Sequence, residues 1–559
     1  MVSKHSYDGF FPFSKIRDEQ RQAIEFALDA YLVEGKRFVI LEMGTGCGKS
    51  ATGITIARYL AANPRPDLMS TEEASNAAGA YVLTTQKVLQ EQYVNDFGPG
   101  RKNLLCSIKS SSNFTCNFYK DQNCGESRRI LSKLGKQLVG TDFWKCCQQQ
   151  CPYKIEKDAF MQSMISITNF SYFLAETMYA KTIKPRQMLV IDECHNIEAE
   201  LGKFIEVTFS EKFAKEVLKC KLPTLKGDEE KRALIVFEWI RKTYQPTLAK
   251  HLQRLEKALE SRFSSGMAGF GEYSKQYEML DKHICKVNRF ITSFNAENWV
   301  MNVVEPPAGA RAQRRYEFKP IDVSSYGYDM LYGFGSRVLL MSATVVDRDV
   351  FCRTIGLNPS DVAFLRIPSP FPVENRPIHF LPTGKMSMDN IQSTLPKMTE
   401  VVKMLMEQHA NDKGIVHCVN FKIAQYLYEN VKSDRLLIHN SENRDQVLKN
   451  HVNGTKPTVL LSPSMMEGVD LADDASRFQI LCKVPFPYLG DKVVKKRKSR
   501  DPKWYPFQTV KSVIQAMGRS IRNDTDHATS YILDEDWDYF YQRNKSLFPS
   551  DFSKSLSSP

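Results

Sequence analysis

The segment Glu42-Met-Gly-Thr-Gly-Cys-Gly-Lys-Ser50 restricts the fold more than any other part of this 559-residue chain. Before it, Arg37 to Leu41 read as a short buried strand; after it, ATGITIARYLAA reads as a helix. Strand, glycine-rich turn and helix in that order is the context a phosphate-binding loop requires. Gly44, Gly46 and Gly48, with Thr45 and Cys47 between them, let backbone N–H groups curl around phosphate oxygens, and the helix N-terminus adds its positive end. Lys49 is then placed to reach the β- and γ-phosphates and Ser50 to hold Mg²⁺, so ATP with Mg²⁺ is the expected ligand. Met43 stands where the general pattern has its first glycine, a departure from the strict motif.

A second strand, Met188-Leu-Val-Ile-Asp-Glu-Cys-His195, is apolar and ends in two carboxylates. Asp192 at such a strand end suits a magnesium ion held through water, and Glu193 suits the orientation and deprotonation of an attacking water. In the C-terminal half, Val338-Leu-Leu-Met-Ser-Ala-Thr344 and Gly414-Ile-Val-His-Cys-Val-Asn420 are further apolar runs with polar tips, the pattern of α/β units with mainly parallel strands. Gln515-Ala-Met-Gly-Arg-Ser-Ile-Arg522 carries Arg519 and Arg522 three apart, on one face if helical. Two guanidinium groups on one face suit a transferring γ-phosphate, although a solvated basic face has the same spacing.

Net charge and cysteine usage bear on partners. A formal charge of +12 attracts a polyanion, since neutralising phosphates releases condensed counterions. No apolar run approaches the length needed to span a bilayer, and MVSKHSYDGFFPF lacks the core of a signal peptide, so an intracellular protein is expected. Six of the thirteen cysteines, Cys106, Cys116, Cys124, Cys146, Cys147 and Cys151, crowd into 106–151. In a chain of this type that density points to thiolate use and not to a disulfide framework.

In chain order Gln20, the loop at 44–50, Thr84-Thr85, Asp192-Glu-Cys-His195, Ser342-Ala-Thr344, Glu467-Gly-Val-Asp470 and Gln515-x-x-Gly-Arg-x-x-Arg522 resemble the motif series of superfamily 2 helicases. Within that superfamily Lys109-Ser-Ser-Ser-Asn-Phe-Thr-Cys116, Cys151-Pro-Tyr153, Thr168-Asn-Phe-Ser-Tyr172, Asp192-Glu-Cys-His-Asn196 and Ser369-Pro-Phe371 are similar to segments of the XPD/DinG branch. The resemblance implies an ATP-binding set of Gln20, Gly44 to Ser50, Asp192, Gly468 and Asp470. It implies a catalytic set of Lys49, Asp192, Glu193, His195, Gln515, Arg519 and Arg522. It also implies a [4Fe–4S] cluster on Cys116, Cys124, Cys147 and Cys151, with Cys146 an equally good third ligand by spacing and zinc the rival metal. Thr84, Thr85, Asn169 and Tyr172 are its weaker candidates for the path of a nucleic-acid strand.

Roughly 145 residues separate the two-carboxylate box from Ser342, more than a connecting loop needs. Leu248, Leu252, Leu255 and Leu259, then Tyr273, Tyr277, Leu280, Ile284, Val287, Ile291 and Phe294, form two helical stripes around the glycine-containing SSGMAGFG loop. An antiparallel helical hairpin follows, and the resemblance places the Arch domain here. The aromatic positions suit a core more readily than a base-stacking platform. Lys492, Lys495, Lys496, Arg497, Lys498 and Arg500 form a basic run that suits a phosphate backbone or a solvated loop.

The expected architecture is two RecA-like α/β domains with parallel sheets. The first is assembled from 1–105, 154–205 and 311–345 around a cluster domain (106–153) and a helical Arch-like insertion (206–310). The second occupies 346–547, followed by a flexible tail at 548–559. The resemblance implies an ATP-dependent helicase, a monomeric motor that moves 5′ to 3′ on single-stranded or forked DNA. An ATP-driven translocase or RNA remodeller with a zinc site is the alternative.

Overall fold

The computed structural model describes residues 5–63, 76–98, 104–120, 122–128, 131, 138–264, 270–305, 314–440, 442–463, 471, 473–518, 520–521 and 525–557. Two parallel sheets form the centres of two RecA-like domains. In the first, the strands run Val362–Ile367, Phe38–Met43, Gly335–Ser342, Arg186–Asp192, Ala77–Thr84, Ile165–Asn169 and Leu105–Ser107 from edge to edge. Phe38–Met43 and Gly335–Ser342 are buried at every position, as strands covered by helices on both faces must be. In the second, the order is Ile378–Gly384, Thr529–Asp534, Phe478–Leu481, Gly414–His417, Val459–Ser462 and Leu436–Ile438, again parallel throughout.

Strand pairing moves three of the expected borders, one of them at 310, since Arg315–Pro320 joins the sheet of the insertion. Val362–Ile367 lies alongside Phe38–Met43 in register, so the first domain reclaims a strand well beyond residue 345. Leu105–Ser107 pairs with Ile165–Asn169, so the start of the cysteine-rich segment at 106 falls inside a strand of the first sheet. Residues 548–557 are not the expected flexible tail. Phe548 and Phe552 are buried, Asp551 pairs with Arg376 at 3.0 Å, and Leu556 bridges to Ile378 on the edge of the second sheet.

The insertion is mixed rather than purely helical. Helices Glu229–Trp239, Gln245–Ser264 and Phe270–Ser293 accompany a three-stranded antiparallel sheet of Val207–Ser210, Arg315–Pro320 and Trp299–Val304. Leu248, Leu252, Leu255, Leu259, Tyr277, Leu280 and Val287 are buried, and Tyr273, Ile284, Ile291 and Phe294 pack against them. The aromatic stripe is therefore core: Phe294 stacks on Phe237 with ring centroids 4.0 Å apart. Part of the loop between the two long helices, 265–269, lies outside the described residues.

The basic run is a helix, Lys492–Arg500, and it is engaged by protein. Lys492 pairs with Glu229 at 2.8 Å, Lys496 with Glu230 at 3.7 Å, and Arg500 donates to the Glu297 carbonyl, all three partners belonging to the insertion. Arg497, buried, pairs with Asp322 and with Glu198 of the first domain. Lys498 lies over the Tyr505 ring at 4.6 Å. Through these contacts the run joins the second domain to the insertion and to the first domain.

Candidate ATP site

The parallel first sheet puts its loops at the carboxyl ends of its strands, the edge where α/β proteins bind ligands. Gly44, Thr84, Asn169, Asp192 and Ser342 all lie there, each at or just past the end of its strand. Gly46 and Gly48 have φ of +83° and +72°, values that an L side chain rarely adopts. Lys49 opens the helix Lys49–Ala62 with Ser50 behind it. Two side chains brace the loop from the helix Asp18–Leu32 and its N-cap. The Gln20 amide reaches the Gly48 carbonyl at 3.5 Å, and Arg17 donates to the Gly46 carbonyl at 2.7 Å. Arg17 carried no motif signal of its own.

The segment after Val362–Ile367 lies across the loop. Gly44 N–H donates to the Ile367 carbonyl (3.0 Å), Ser369 Oγ to the Thr45 carbonyl (3.0 Å), and the Cys47 thiol to the Pro368 carbonyl (3.4 Å). The Phe371 ring lies where a Cβ on Gly46 would point, and Phe371 packs with Ile521 and Ala528 of the second domain. Burial pushes the Cys47 thiol up to about 11, which leaves it protonated and unreactive at neutral pH.

Asp192 is buried, and its Oδ2 accepts a hydrogen bond from Tyr93 Oη at 2.7 Å while Oδ1 accepts from the Glu193 amide at 3.0 Å. Burial, reinforced by the Glu193 charge and opposed by Lys49, pushes the Asp192 carboxyl up to about 6. Ser50 adjoins the same Tyr93 hydroxyl, so the two groups expected to hold magnesium share one neighbour. Tyr93 was not foreseen. Its only trace in the sequence is a hydroxyl-bearing residue in line with Gln90 and Phe97 on the buried face of helix Lys87–Phe97. Glu193 has a left-handed backbone, φ +51°, the kind of strain that collects at reacting sites. His195 Nδ1 lies 3.3 Å from Glu193 Oε2 and 2.7 Å from Ser342 Oγ, which ties the DECH box to the Ser-Ala-Thr strip.

The second domain meets these groups through one face of the helix Trp504–Met517. Trp504 Nε1 and Gln508 Nε2 donate to Glu198, Lys511 Nζ to the His195 carbonyl (3.4 Å), and Gln515 Nε2 to Thr344 Oγ1 (3.4 Å). Positions 504, 508, 511 and 515 follow helical spacing, so the polar stripe begins well before the Gln515 motif. Arg519, Arg522, Gly468 and Asp470 lie outside the described residues.

Of the four residues expected along a nucleic-acid path, Thr84 and Tyr172 are buried and Asn169 and Thr85 half-buried. Thr84 is fully buried. Asn169 caps the helix Phe170–Ala175 by accepting from the Tyr172 amide (2.9 Å), and Tyr172 is buried with its hydroxyl 2.8 Å from that of Tyr153. Thr85 is half-buried.

Cys116, Cys124, Cys147 and Cys151 are buried free thiols, whereas Cys146 is half-exposed and Cys106 lies apart on a strand of the first sheet. Cys151 Sγ is 3.9 Å from Cys124 Sγ. The amides of Tyr119 and Lys154 each point at a sulfur, Cys116 and Cys151, at 3.4 Å, and Cys151 caps the helix Pro152–Gln162. Such donors favour a thiolate. Burial and then the neighbouring Cys116 and Cys151 charges push the Cys147 thiol up to about 12. Of these sulfurs, those of Cys151 and Cys124 face one another. Among the described residues no three metal-binding side chains converge as they would on a single ion.

Comparison with known proteins agrees with this geometry. Residues 401–555 match the family model for the helicase C-terminal domain, and residues 13–223 match that for the type III restriction enzyme res subunit. A protein of Methanocaldococcus jannaschii described as a "Probable ATP-dependent helicase" is 20% identical, with 97% of this chain and 95% of that protein aligned. An XPD helicase structure superposes with a TM-score of 0.59 at 15% identity, covering 96% of this chain and 99% of that one. S. tokodaii Xpd4 does so with a TM-score of 0.57 at 12% identity, covering 97% and 99%. Motif order, the two domain matches and the helicase relative together identify the chain as an ATP-hydrolysing superfamily 2 helicase, and its fold is similar to that of the XPD structures.

Proposed function

We propose that the chain is a DNA helicase that moves 5′ to 3′ along single-stranded or forked DNA, driven by ATP hydrolysed between its two RecA-like domains. The observation that carries this reading is the helix face at 504, 508, 511 and 515, which brings the second domain onto His195 and Thr344 beside the phosphate loop. A nucleotide bound there touches both domains, so its hydrolysis changes the gap between them. Lys49 holds the β- and γ-phosphates, and Ser50 and Asp192 hold magnesium. Glu193 orients the attacking water and takes its proton, with His195 beside it. Arg519 and Arg522 of the second domain neutralise charge on the departing γ-phosphate.

Cys116, Cys124, Cys147 and Cys151 would hold a [4Fe–4S] cluster, the burial of Cys147 favouring it over Cys146 as third ligand. Such a cluster would cross-link a segment that has little hydrophobic core of its own. Ser274 of the insertion donates to the Glu126 carbonyl beside this segment at 3.0 Å, so the two inserted units adjoin, as the two sides of an opening for a single strand would. The net charge of +12 suits a polyanionic substrate.

Strand separation on matched duplexes with a 5′ or a 3′ single-stranded tail, in DNA and in RNA, tests the proposal. Unwinding of the 5′-tailed DNA supports it; preference for the 3′ tail, or for RNA, overturns polarity or substrate. Anaerobically purified protein without iron and without absorbance near ~400 nm overturns the cluster, and stoichiometric zinc replaces it.

A further inference from the structure

Val346 lies two residues beyond Thr344 with φ +67°. A β-branched side chain rarely adopts this left-handed region, and a residue held there needs surroundings that over-determine it. Those surroundings come from the strand that leads into the phosphate loop. Glu42, buried, accepts from the Val345 amide (3.0 Å) and the Val346 amide (2.9 Å) through Oε1, and from Arg366 Nε through Oε2 (2.5 Å). Arg366 Nη2 donates to the Val346 carbonyl. Both peptide groups of the left-handed residue are therefore held by one carboxylate–guanidinium pair. Strand register places Glu42 directly between Arg366 on one side and Ser342 on the other.

We infer that Glu42 and Arg366 are positioning residues for ATP hydrolysis: they hold Val346 left-handed in the turn at 345–346, so that Thr344 is presented to Gln515 of the second domain. The chain of contacts is continuous. Glu42 is followed by Met43 and the loop that holds phosphate, the turn it grips follows the Ser-Ala-Thr strip, Ser342 meets His195, and Thr344 meets Gln515. A shift of the loop strand is thus transmitted to the domain contact without passing through the nucleotide. The inference rests on ATP hydrolysis at the domain interface and not on the identity of the nucleic acid or the direction of travel.

The test uses the full chain and pairs the loss of the grip with relief of the strain. ATP turnover is measured without nucleic acid and with poly(dT) or poly(U), alongside binding of a fluorescent ATP analogue. Glu42→Ala is expected to lower kcat roughly 10-fold or more, with KM for ATP changed less than about 3-fold, because the phosphate loop keeps its own glycines and Lys49. Val346→Gly, which makes the left-handed turn accessible without the grip, is expected to restore Glu42→Ala several-fold. Arg366→Gln, at a less buried side chain, covers the case in which Glu42→Ala does not fold; it is expected to show a smaller loss and the same rescue. Undiminished kcat in both Glu42→Ala and Arg366→Gln overturns the inference. Loss of analogue binding that Val346→Gly does not restore also overturns it, by assigning Glu42 to the shape of the phosphate loop. Normal ATP turnover with no unwinding of any tailed duplex would count against the helicase reading alone.

Discussion

Tyr93 Oη stands 2.7 Å from Asp192 Oδ2, both side chains buried, so a hydroxyl from outside the helicase motifs holds the carboxylate at the centre of the ATP site. Burial and the neighbouring carboxylates keep the phenol protonated, and it therefore donates throughout the working pH range. Tyr93→Phe removes one bond to a charged group, a loss of about 1.5–3 kcal/mol. The expected result is a drop in ATP turnover of roughly 10-fold and a higher magnesium requirement. An unchanged magnesium titration would show that Tyr93 serves packing alone.

Glu193 sits on a strained backbone with its carboxylate beside His195. Glu193→Gln keeps the shape and removes the proposed base. ATP hydrolysis is expected to fall roughly 10²- to 10⁴-fold while a fluorescent ATP analogue still binds. Hydrolysis at the normal rate would transfer the role of base to another group.

Gly46 faces the ring of Phe371, and its φ of +83° excludes most side chains. Gly46→Ala is expected to abolish ATP binding. Adding Phe371→Leu should recover only part of it, since the smaller side chain relieves the overlap but not the backbone strain. Full recovery would assign the whole defect to the ring.

The Lys492–Arg500 helix predicts two classes of effect. Arg497 is buried against Asp322 and Glu198, so Arg497→Ala takes the guanidinium from Asp322 and leaves Glu198 with only its Trp504 and Gln508 donors, and is expected to destabilise by about 3–5 kcal/mol. Lys492 and Glu229 are solvent-accessible, and Lys492→Ala should change stability by less than about 1 kcal/mol. Urea unfolding of the two variants distinguishes these outcomes, and equal effects would contradict the buried pairing.

His451 is fully buried, with Nε2 donating to the Ala475 carbonyl (2.9 Å) and Nδ1 accepting from Thr458 (2.8 Å). Burial lowers its pKa from 6.5 to about 4, so between those values the unfolded chain takes up a proton that the folded one refuses. The stability of the second domain is therefore expected to fall by about 3 kcal/mol as pH drops from 6.5 towards 4. His451→Gln should flatten that dependence in urea titrations, and an unchanged slope would assign it to other groups.

The phosphate loop, the DECH box, the Ser-Ala-Thr strip and Gln515 were legible because each is a run of neighbouring residues at the end of an apolar strand or on one helix face. The crowding of Cys116, Cys124, Cys147 and Cys151 was legible for the same reason. The fold buries Cys147 and leaves Cys146 half-exposed, a difference in surroundings that spacing does not show. The candidates on the strand path came from the resemblance alone, and the fold gives Asn169 a place as a helix cap and Tyr172 one in a buried hydroxyl pair.

By itself the sequence determined the chemistry at each strand end and the class of sheet that carries it, since both depend on local pattern: apolar runs, glycines at turns, and polar residues at fixed offsets. Only the tertiary structure decided that Val362–Ile367 returns to the first sheet, that Tyr93 holds Asp192, that Glu42 grips Val346, and that the basic helix binds the insertion. Each of these is a contact between segments distant in the chain. Which of several chemically equivalent partners is taken is settled by packing and burial, which no run of neighbouring residues encodes.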